Sequence, residues 1–456
     1  MFNVGRLLPA QRGGLSRRAL LQAGSLGALG VSLADLFRAE AAARATGRRP
    51  RSIILLWLWG GPSHIDTFDP KPKAQLEYRG PYAPVKTAVP GTQICELFPQ
   101  LAKRANRYTI LRALHHTSND HGISGTIGLT GSDKGAVSLG GKTLRGTLQP
   151  THGSVVSRVL GFDPSVPRFL TVGGHLHQGH KPIVGEGGGA LGAMHDPFRL
   201  DFDPRTGLKV PQLTLGEWQS SHRLNDRRKL LRALDGTLKQ AESAGGIHRL
   251  DEFYQQAFSL LTSAKTRGMF DLNREPDKLR TRYGRFRFGQ CCLLARRLIQ
   301  AGARFVQVNW SSHVEPVEDT GDGGWDMHDR NFQQLQDRHA WMLDQSLSAL
   351  LDDLQTRGML DDTIVVAVGE FGRTPKINGK AGRDHWNKCY SGLVAGGGLR
   401  AGRVIGSSDK RGEHPVDAPI TPTDLFRTVL QQVGIGTTDL TGVGLTPRGE
   451  LIEQLM

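Results

Sequence analysis

Ser52-Ile-Ile-Leu-Leu-Trp-Leu-Trp59 is followed at once by Gly60-Gly-Pro62. An unbroken apolar run this short, ended by turn residues, reads as a strand covered on both faces. Trp57 and Trp59 then belong to the core or the rim of that strand. Similar runs recur at Tyr108 to Leu111, Arg168 to Val172, Arg304 to Asn309, Thr363 to Val368 and Ser391 to Ala395. Helical patterns lie between several of them. Phe288 to Gln300 is apolar on one side and basic on the other, and Gly302 follows. Asn331 to Arg357 sets Phe332, Leu335, Met342, Leu347, Leu350, Leu351 and Leu354 at helical spacing, with Gly358 as a stop. The alternation predicts an α/β fold with a largely parallel sheet covered on both faces. Residues 215–282 are charged and helix-prone, which predicts a helical insertion. Residues 173–195, rich in Gly and His (His175, His177, His180), read as a long mobile loop rather than a metal-binding tract.

The whole chain has 456 residues, 38% of them hydrophobic and 22% charged, so a sizeable core is available and global disorder is excluded. Four cysteines without a C-x-x-C exclude a disulfide scaffold, a thiolate zinc site and a thioredoxin-type motif. Cys291 and Cys292, adjacent in a helical pattern, read as packing residues, while Cys95 and Cys389 leave room for a disulfide after export. The formal charge of +15 suits an anionic partner without selecting one.

The N-terminus reads as an address. Arg17-Arg18 precedes a weakly apolar, Gly-rich run from Ala19 to Leu36, and Ala39, Ala41, Ala42 and Ala43 offer small-residue cleavage positions. Gln22, Ser25, Ser32 and Asp35 interrupt the run, so it falls short of the ~20 apolar residues of a membrane span. Residues 1–45 are therefore expected to be a twin-arginine signal. The domain then spans 46–456, and the protein works in the periplasm or outside the cell, with no transmembrane span in the mature chain.

In an open parallel sheet, sites form beyond the carboxyl ends of the strands. The segments found there carry His64 and Asp66; His115, His116, Asp120 and His121; Asp326 and His328; Glu370 and Arg373; and Arg383, Asp384 and His385. Imidazole and carboxylate together suit a divalent ion. In extended backbone, residues i and i+2 share a side, so His64 with Asp66, and Asp326 with His328, are each expected to present two ligands to one point. Arg373 and Arg383 are expected to favour an anionic substrate and its transition state. Trp325 and Trp386 flank these segments and are expected to wall the site.

At these residues the sequence resembles the DUF1501 family of exported bacterial proteins of the planctomycete type. The matching segments are Gly60 to Pro72, Tyr283-Gly284, Gly289 to Arg297, Gly324 to His328, Gly369 to Pro375 and Gly382 to Trp386. That family is similar in turn to the alkaline phosphatase/sulfatase superfamily. The resemblance implies a three-layer α/β/α fold with one or two divalent ions at the strand ends, without distinguishing zinc, manganese, calcium or iron. It implies metal roles for Asp326, His328 and His385, with Asp384 beside the last, and only a carboxylate, Glu370, where an Asp-His pair usually stands. Thr421 to Gly434 resembles the helix that closes sulfatase-like domains. The departure is at the nucleophile. Ten residues before Gly131 of Leu129-Thr-Gly131 stands His121, where Cys or Ser is usual, with Ser118, Ser124 and Thr126 nearby. His121 is then either a further metal ligand beside metal-activated water or a group that itself accepts the phosphoryl group.

Two functions follow as expectations. One is an exported metal-dependent hydrolase of phosphate or sulfate esters, delivered by the twin-arginine machinery and acting on an anionic small molecule or polysaccharide. In it His121 and Arg373 are the catalytic candidates, and His64, Asp66, His121, Asp326, His328, Glu370, Asp384 and His385 the metal candidates. The other is a non-catalytic metal-containing binder of polyanionic glycan or cell-surface material. Nucleic-acid binding is not expected, since charge alone argues for it.

Overall fold

Strand β1, Ser52–Leu58, is buried along all 7 residues, as its unbroken apolar run requires. The structure, a computed structural model, describes residues 52–163, 165–179, 181–203, 207–209, 268–310 and 324–456. The signal segment 1–45 and the body of the insertion expected at 215–282, up to residue 267, lie outside the described residues, as does His180.

β1 lies at the centre of a 9-stranded sheet. The other strands are β2 Tyr108–Leu114, β3 Phe169–Val172, β4 Phe198–Asp203, β5 Gly207–Lys209, β6 Phe305–Trp310, β7 Thr363–Val368, β8 Tyr390–Gly396 and β9 Arg403–Ile405. Their order is β9-β2-β8-β7-β1-β6-β3-β4-β5. β1 pairs in parallel with both neighbours, Ile53 standing opposite Phe305 of β6 and Ile364 of β7. Only β8 and β5 run against the others. β4 alternates apolar and charged residues, and β5 and β9 are short edge strands, so the search for continuous apolar runs passes over all three.

Helices cover both faces. They are α1 His121–Thr130, α2 His152–Leu160, α3 Asp277–Tyr283, α4 Arg287–Ala301, α5 Ala340–Thr356 and α6 Pro422–Gln432. Ile54, Leu56 and Leu58 pack with Leu294 and Leu298 of α4 and Leu347 and Leu351 of α5. Ile53, Leu55 and Trp57 point the other way, into Leu129 of α1, Val155 of α2 and Val429 of α6. The molecule is therefore a three-layer α/β/α fold with a largely parallel sheet. The helical pattern from Asn331 is one run with a wider π turn at Leu335–His339, where His339 stacks on Trp310 at 5.4 Å.

Residues beyond the strands are held by few but specific devices. Arg296 of α4, fully buried, pairs with Glu275 at 2.9 Å and with Asp353 of α5 at 2.8 Å, which fixes the segment leading into α3. Thr421 caps α6 in a reciprocal box with Asp424. All four cysteines are buried free thiols, so Cys95 and Cys389 do not form the disulfide that export would allow. Among the described residues, no helix is long and apolar enough to cross a membrane.

Candidate metal centre

The turn after β1 brings the strand ends together. Gly60 has φ +104°, and a Cβ there would lie 2.3 Å from the backbone nitrogen of Asp326. Only glycine lets the two segments approach this closely. Gly60 N donates to both oxygens of Glu370, at 2.9 and 3.2 Å. Gly382 does the same for the late loop, since a Cβ there would meet the carbonyl oxygen of His328 at 1.9 Å.

Four side chains from three segments converge here. His121 is the first residue of α1, whose N-cap Asp120 accepts from Ile123 N. Asp326 and His328 follow the turn at Gly324-Trp325, and His385 lies in the short pairing of Gly372–Arg373 with His385–Trp386. His121, Asp326 and His385 offer ligand atoms that all lie within 4.8 Å of one another. His328 Nε2 stands 2.9 Å from His385 Nε2, and each of these atoms is 3.1 Å from Asp326 Oδ1. His121 Nε2 is 3.1 Å from Asp326 Oδ2 but lacks hydrogen-bond alignment, and so has no partner although it is buried.

The second nitrogen of each ring explains the arrangement. His121 Nδ1 faces Glu370 Oε1 at 2.7 Å, His328 Nδ1 faces Asp384 Oδ1 at 2.8 Å, and His385 Nδ1 faces the carbonyl of Asn119 at 2.8 Å. Each Nδ1 must donate to its acceptor, so in the neutral rings three Nε2 lone pairs point toward one carboxylate. Lone pairs facing a carboxylate repel unless a cation stands between them. Imidazoles whose far nitrogen is held by a carboxylate or carbonyl are the usual supports of a metal ligand. Charge agrees. The Asp326, Glu370 and Asp384 carboxylates against the Arg373 guanidinium leave the neutral-ring site two charges negative. The donor set and the partnerless Nε2 fit a divalent ion held by His121, Asp326 and His385, with His328 Nε2 beside them.

Without the ion, protons take its place. Against burial, which favours the neutral ring, Asp326 and Glu370 hold His121 up to about 9. The hydrogen bond to Asp326 raises His328 as well. Burial, with the nearby His121 and Arg373, lowers His385. Asp326 stays ionised: burial alone would raise it, but Arg373 and the three imidazoles hold it well below the carboxylate range. Metal uptake near neutral pH is therefore expected to release between one and two protons. Calorimetric titration in buffers of different ionisation enthalpy reads this number, and release of none would contradict the ligand assignment.

Several expectations are corrected. His64 and Asp66 do not join the centre. Residues after Pro62 form a tight turn, with Thr67 N and Asp69 N both donating to the His64 carbonyl, so residues i and i+2 diverge. His64 Nε2 donates to the Gly412 carbonyl at 2.8 Å, and burial lowers its pKa. Asp66 is buried against Arg383. Glu370 and Asp384 orient rings rather than face the ion's position. Arg373 is fully buried, donating to Asp326 and to the carbonyls of Gly60, Gly61 and Arg383, so it holds a ligand and does not reach a substrate. Arg383 is likewise wholly buried. Trp325 packs inward on Trp310 instead of walling the site. Ser124 Oγ donates to the Ser118 carbonyl, Thr126 Oγ1 lies 2.8 Å from the carbonyls of Gly122 and Val184, and Ser118 Oγ caps Asp120 N. None of the three hydroxyls bonds to the centre.

The loop 173–195 also differs from expectation. Its His177–Gln178 pairs with Lys181–Pro182. Gln178 Nε2 donates to Asp326 Oδ2 at 2.6 Å, while Gln178 Oε1 accepts from Trp59 Nε1 at 3.0 Å. Gln178 and Asn119 were not among the sequence candidates, because an amide side chain or a backbone carbonyl in a loop carries no local signal. Phe371 closes the rear of the centre, 4.8 Å from His121 and 4.6 Å from His385.

Glu370→Gln and Asp384→Asn keep the shape of the ring supports but remove their charge. Each is expected to weaken metal affinity about 10- to 100-fold, measured by competition with a chelating dye.

The family model for DUF1501, a protein family of unknown function, matches residues 50–448. The chain belongs to this family. No curated protein matches it. Among solved structures, Ps i-CgsB is similar at 12% identity and a TM-score of 0.40, covering 88% of this chain and 75% of that one. The PsFucS1 sulfatase from Pseudoalteromonas sp. gives 12% and 0.38, covering 90% and 72%. The phosphonate monoester hydrolase SpPMH from Silicibacter pomeroyi gives 12% and 0.38, covering 89% and 75%.

Proposed function

We propose that the protein is an exported metal-dependent hydrolase of phosphate or sulfate esters, acting on an anionic small molecule or polysaccharide in the periplasm or beyond it. The observation that carries the reading is the convergence of three imidazole Nε2 atoms on Asp326, each ring held from behind. A divalent ion held by these residues would supply Lewis acidity and lower the pKa of bound water toward neutrality. The residues do the rest. His121 occupies the start of α1, where the hydroxyls of Ser118, Ser124 and Thr126 are engaged elsewhere, which favours direct attack by water over a covalent intermediate. Arg373 keeps Asp326 ionised, and Glu370 fixes the His121 ring. Trp59 and Phe371 pack against His121 and exclude solvent from behind. The partly exposed edges of His328 and His385 leave the approach for an ester on the opposite side. The chain's charge of +15 favours an anionic substrate. Arg17-Arg18 and the run after it support export by the twin-arginine route.

The test is elemental analysis of the mature protein and its Asp326→Ala/His385→Ala variant, followed by a panel of phosphate and sulfate esters. One or two equivalents of a divalent ion, lost with hydrolysis in the variant, is the expected result. A folded wild type that binds no ion after expression with ample metal would end this reading. An ion without hydrolysis of any ester would favour a glycan-binding protein that keeps its metal for structure.

A further inference from the structure

α1 ends, at the opposite end from His121, beside a cleft. At this end the cleft is lined by Thr130 and Gly131, on the α2 side by His152, on α6 by Arg427 and Leu430, and near the C-terminus by Leu440 and Arg448. Its polar atoms are unusual. His152 is only 7% exposed and stacks on Phe426 of α6 at 3.8 Å. Burial keeps the ring neutral, and its Nε2 is buried and has no partner, so in the Nδ1-protonated ring it is a bare acceptor. Arg427 Nη2 donates to Thr437 Oγ1 at 2.5 Å, but its Nη1 is buried without a partner. Buried polar groups are normally satisfied, so two orphans of opposite kind lining one cleft call for a ligand that is both acceptor and donor.

We propose that this cleft binds a small hydroxylated organic anion. Its anionic oxygens accept from Arg427 Nη1 and from Arg448, a hydroxyl donates to His152 Nε2, and a carbon face lies on Leu430 and Leu440. The N-terminus of α2, where His152 is the first residue, adds positive potential on the same side. This site is independent of the metal centre, and the inference does not rest on the proposed hydrolase activity.

Glucose 6-phosphate, gluconate and inorganic phosphate are the probes, titrated calorimetrically into wild-type protein, the Arg427→Gln/Arg448→Gln variant, His152→Phe and the metal-centre variant Asp326→Ala/His385→Ala. Thermal unfolding checks that each variant is folded. The expected result is saturable binding of a hydroxylated anion to wild type, undiminished in the metal-centre variant and weakened at least tenfold, in line with charged hydrogen bonds, in the arginine variant. His152→Phe, which keeps the ring stack, should remove the preference for a hydroxylated anion over inorganic phosphate. No saturable binding of glucose 6-phosphate or gluconate to wild type overturns the proposal. So does binding lost in the metal-centre variant and kept in the arginine variant.

Discussion

Arg383→Leu is expected to destabilise the protein by about 3–5 kcal/mol, the cost of leaving a buried charge without its partner. Arg383 and Asp66 are each 0% exposed at the side chain. The guanidinium clamps the carboxylate, Nε to Oδ2 at 2.7 Å and Nη2 to Oδ1 at 3.1 Å. Its other hydrogens go to the carbonyls of Tyr78, Thr374 and Pro375, and Asn331 Nδ2 gives Asp66 a further bond at 3.0 Å. One side chain thus joins the turn after β1, the chain at Tyr78, the loop after β7 and the start of the helical run leading to α5. Leucine removes all of these bonds and strands Asp66 in the interior. Lysine keeps the charge but not the planar fork, so Arg383→Lys should recover only part of the loss. Urea unfolding of both variants measures this, and a loss below about 1 kcal/mol for leucine would show that water or another cation reaches Asp66. Since Asp384 and His385 follow directly, metal affinity should fall with stability.

The second large effect concerns pH. The folded-state pKa of His121 lies at about 9, above the ordinary value of 6.5. A group raised on folding contributes stability that is complete below its unfolded pKa and vanishes as pH rises through the folded one. The metal-free protein should therefore lose stability between about pH 6.5 and 9, by on the order of 3 kcal/mol from His121, with His328 acting in the same direction. With a saturating divalent ion this fall should vanish, leaving stability nearly flat over the same window. The ion needs neutral rings, so each proton lost on raising the pH makes its binding tighter. Melting curves at several pH values, with chelator and with metal, separate the cases. Parallel slopes in the two series would mean that the ion does not compete with these protons.

Much of this arrangement was legible in the chain and some of it was not. The apolar runs located β1, β2, β3, β6, β7 and β8, because a strand buried on both faces needs no partner to be recognised. The same runs could not reveal that β8 is antiparallel and inserted between β7 and β2, since strand direction is a property of pairing. Asp326 and His328 were found from their place after a strand, and the structure brings them together. His64 and Asp66 had the same spacing, but the turn at Gly60-Gly-Pro62 continues as backbone bonds to the His64 carbonyl, so the extended geometry assumed for them does not exist.

By itself the sequence determined the layered α/β class, the strand-end location of the chemistry, and the supply of imidazole and carboxylate there. These depend on local hydrophobic pattern and on residue type, which a linear chain carries openly. Only the tertiary structure decided which of those groups converge. Arg373 and Arg383 were turned inward to hold Asp326 and Asp66, Glu370 and Asp384 were set behind the rings, and Gln178 was drawn in from a loop 148 residues away in sequence from Asp326. Those choices follow from strand order and from the need to satisfy every buried charge, and neither is written in any single segment.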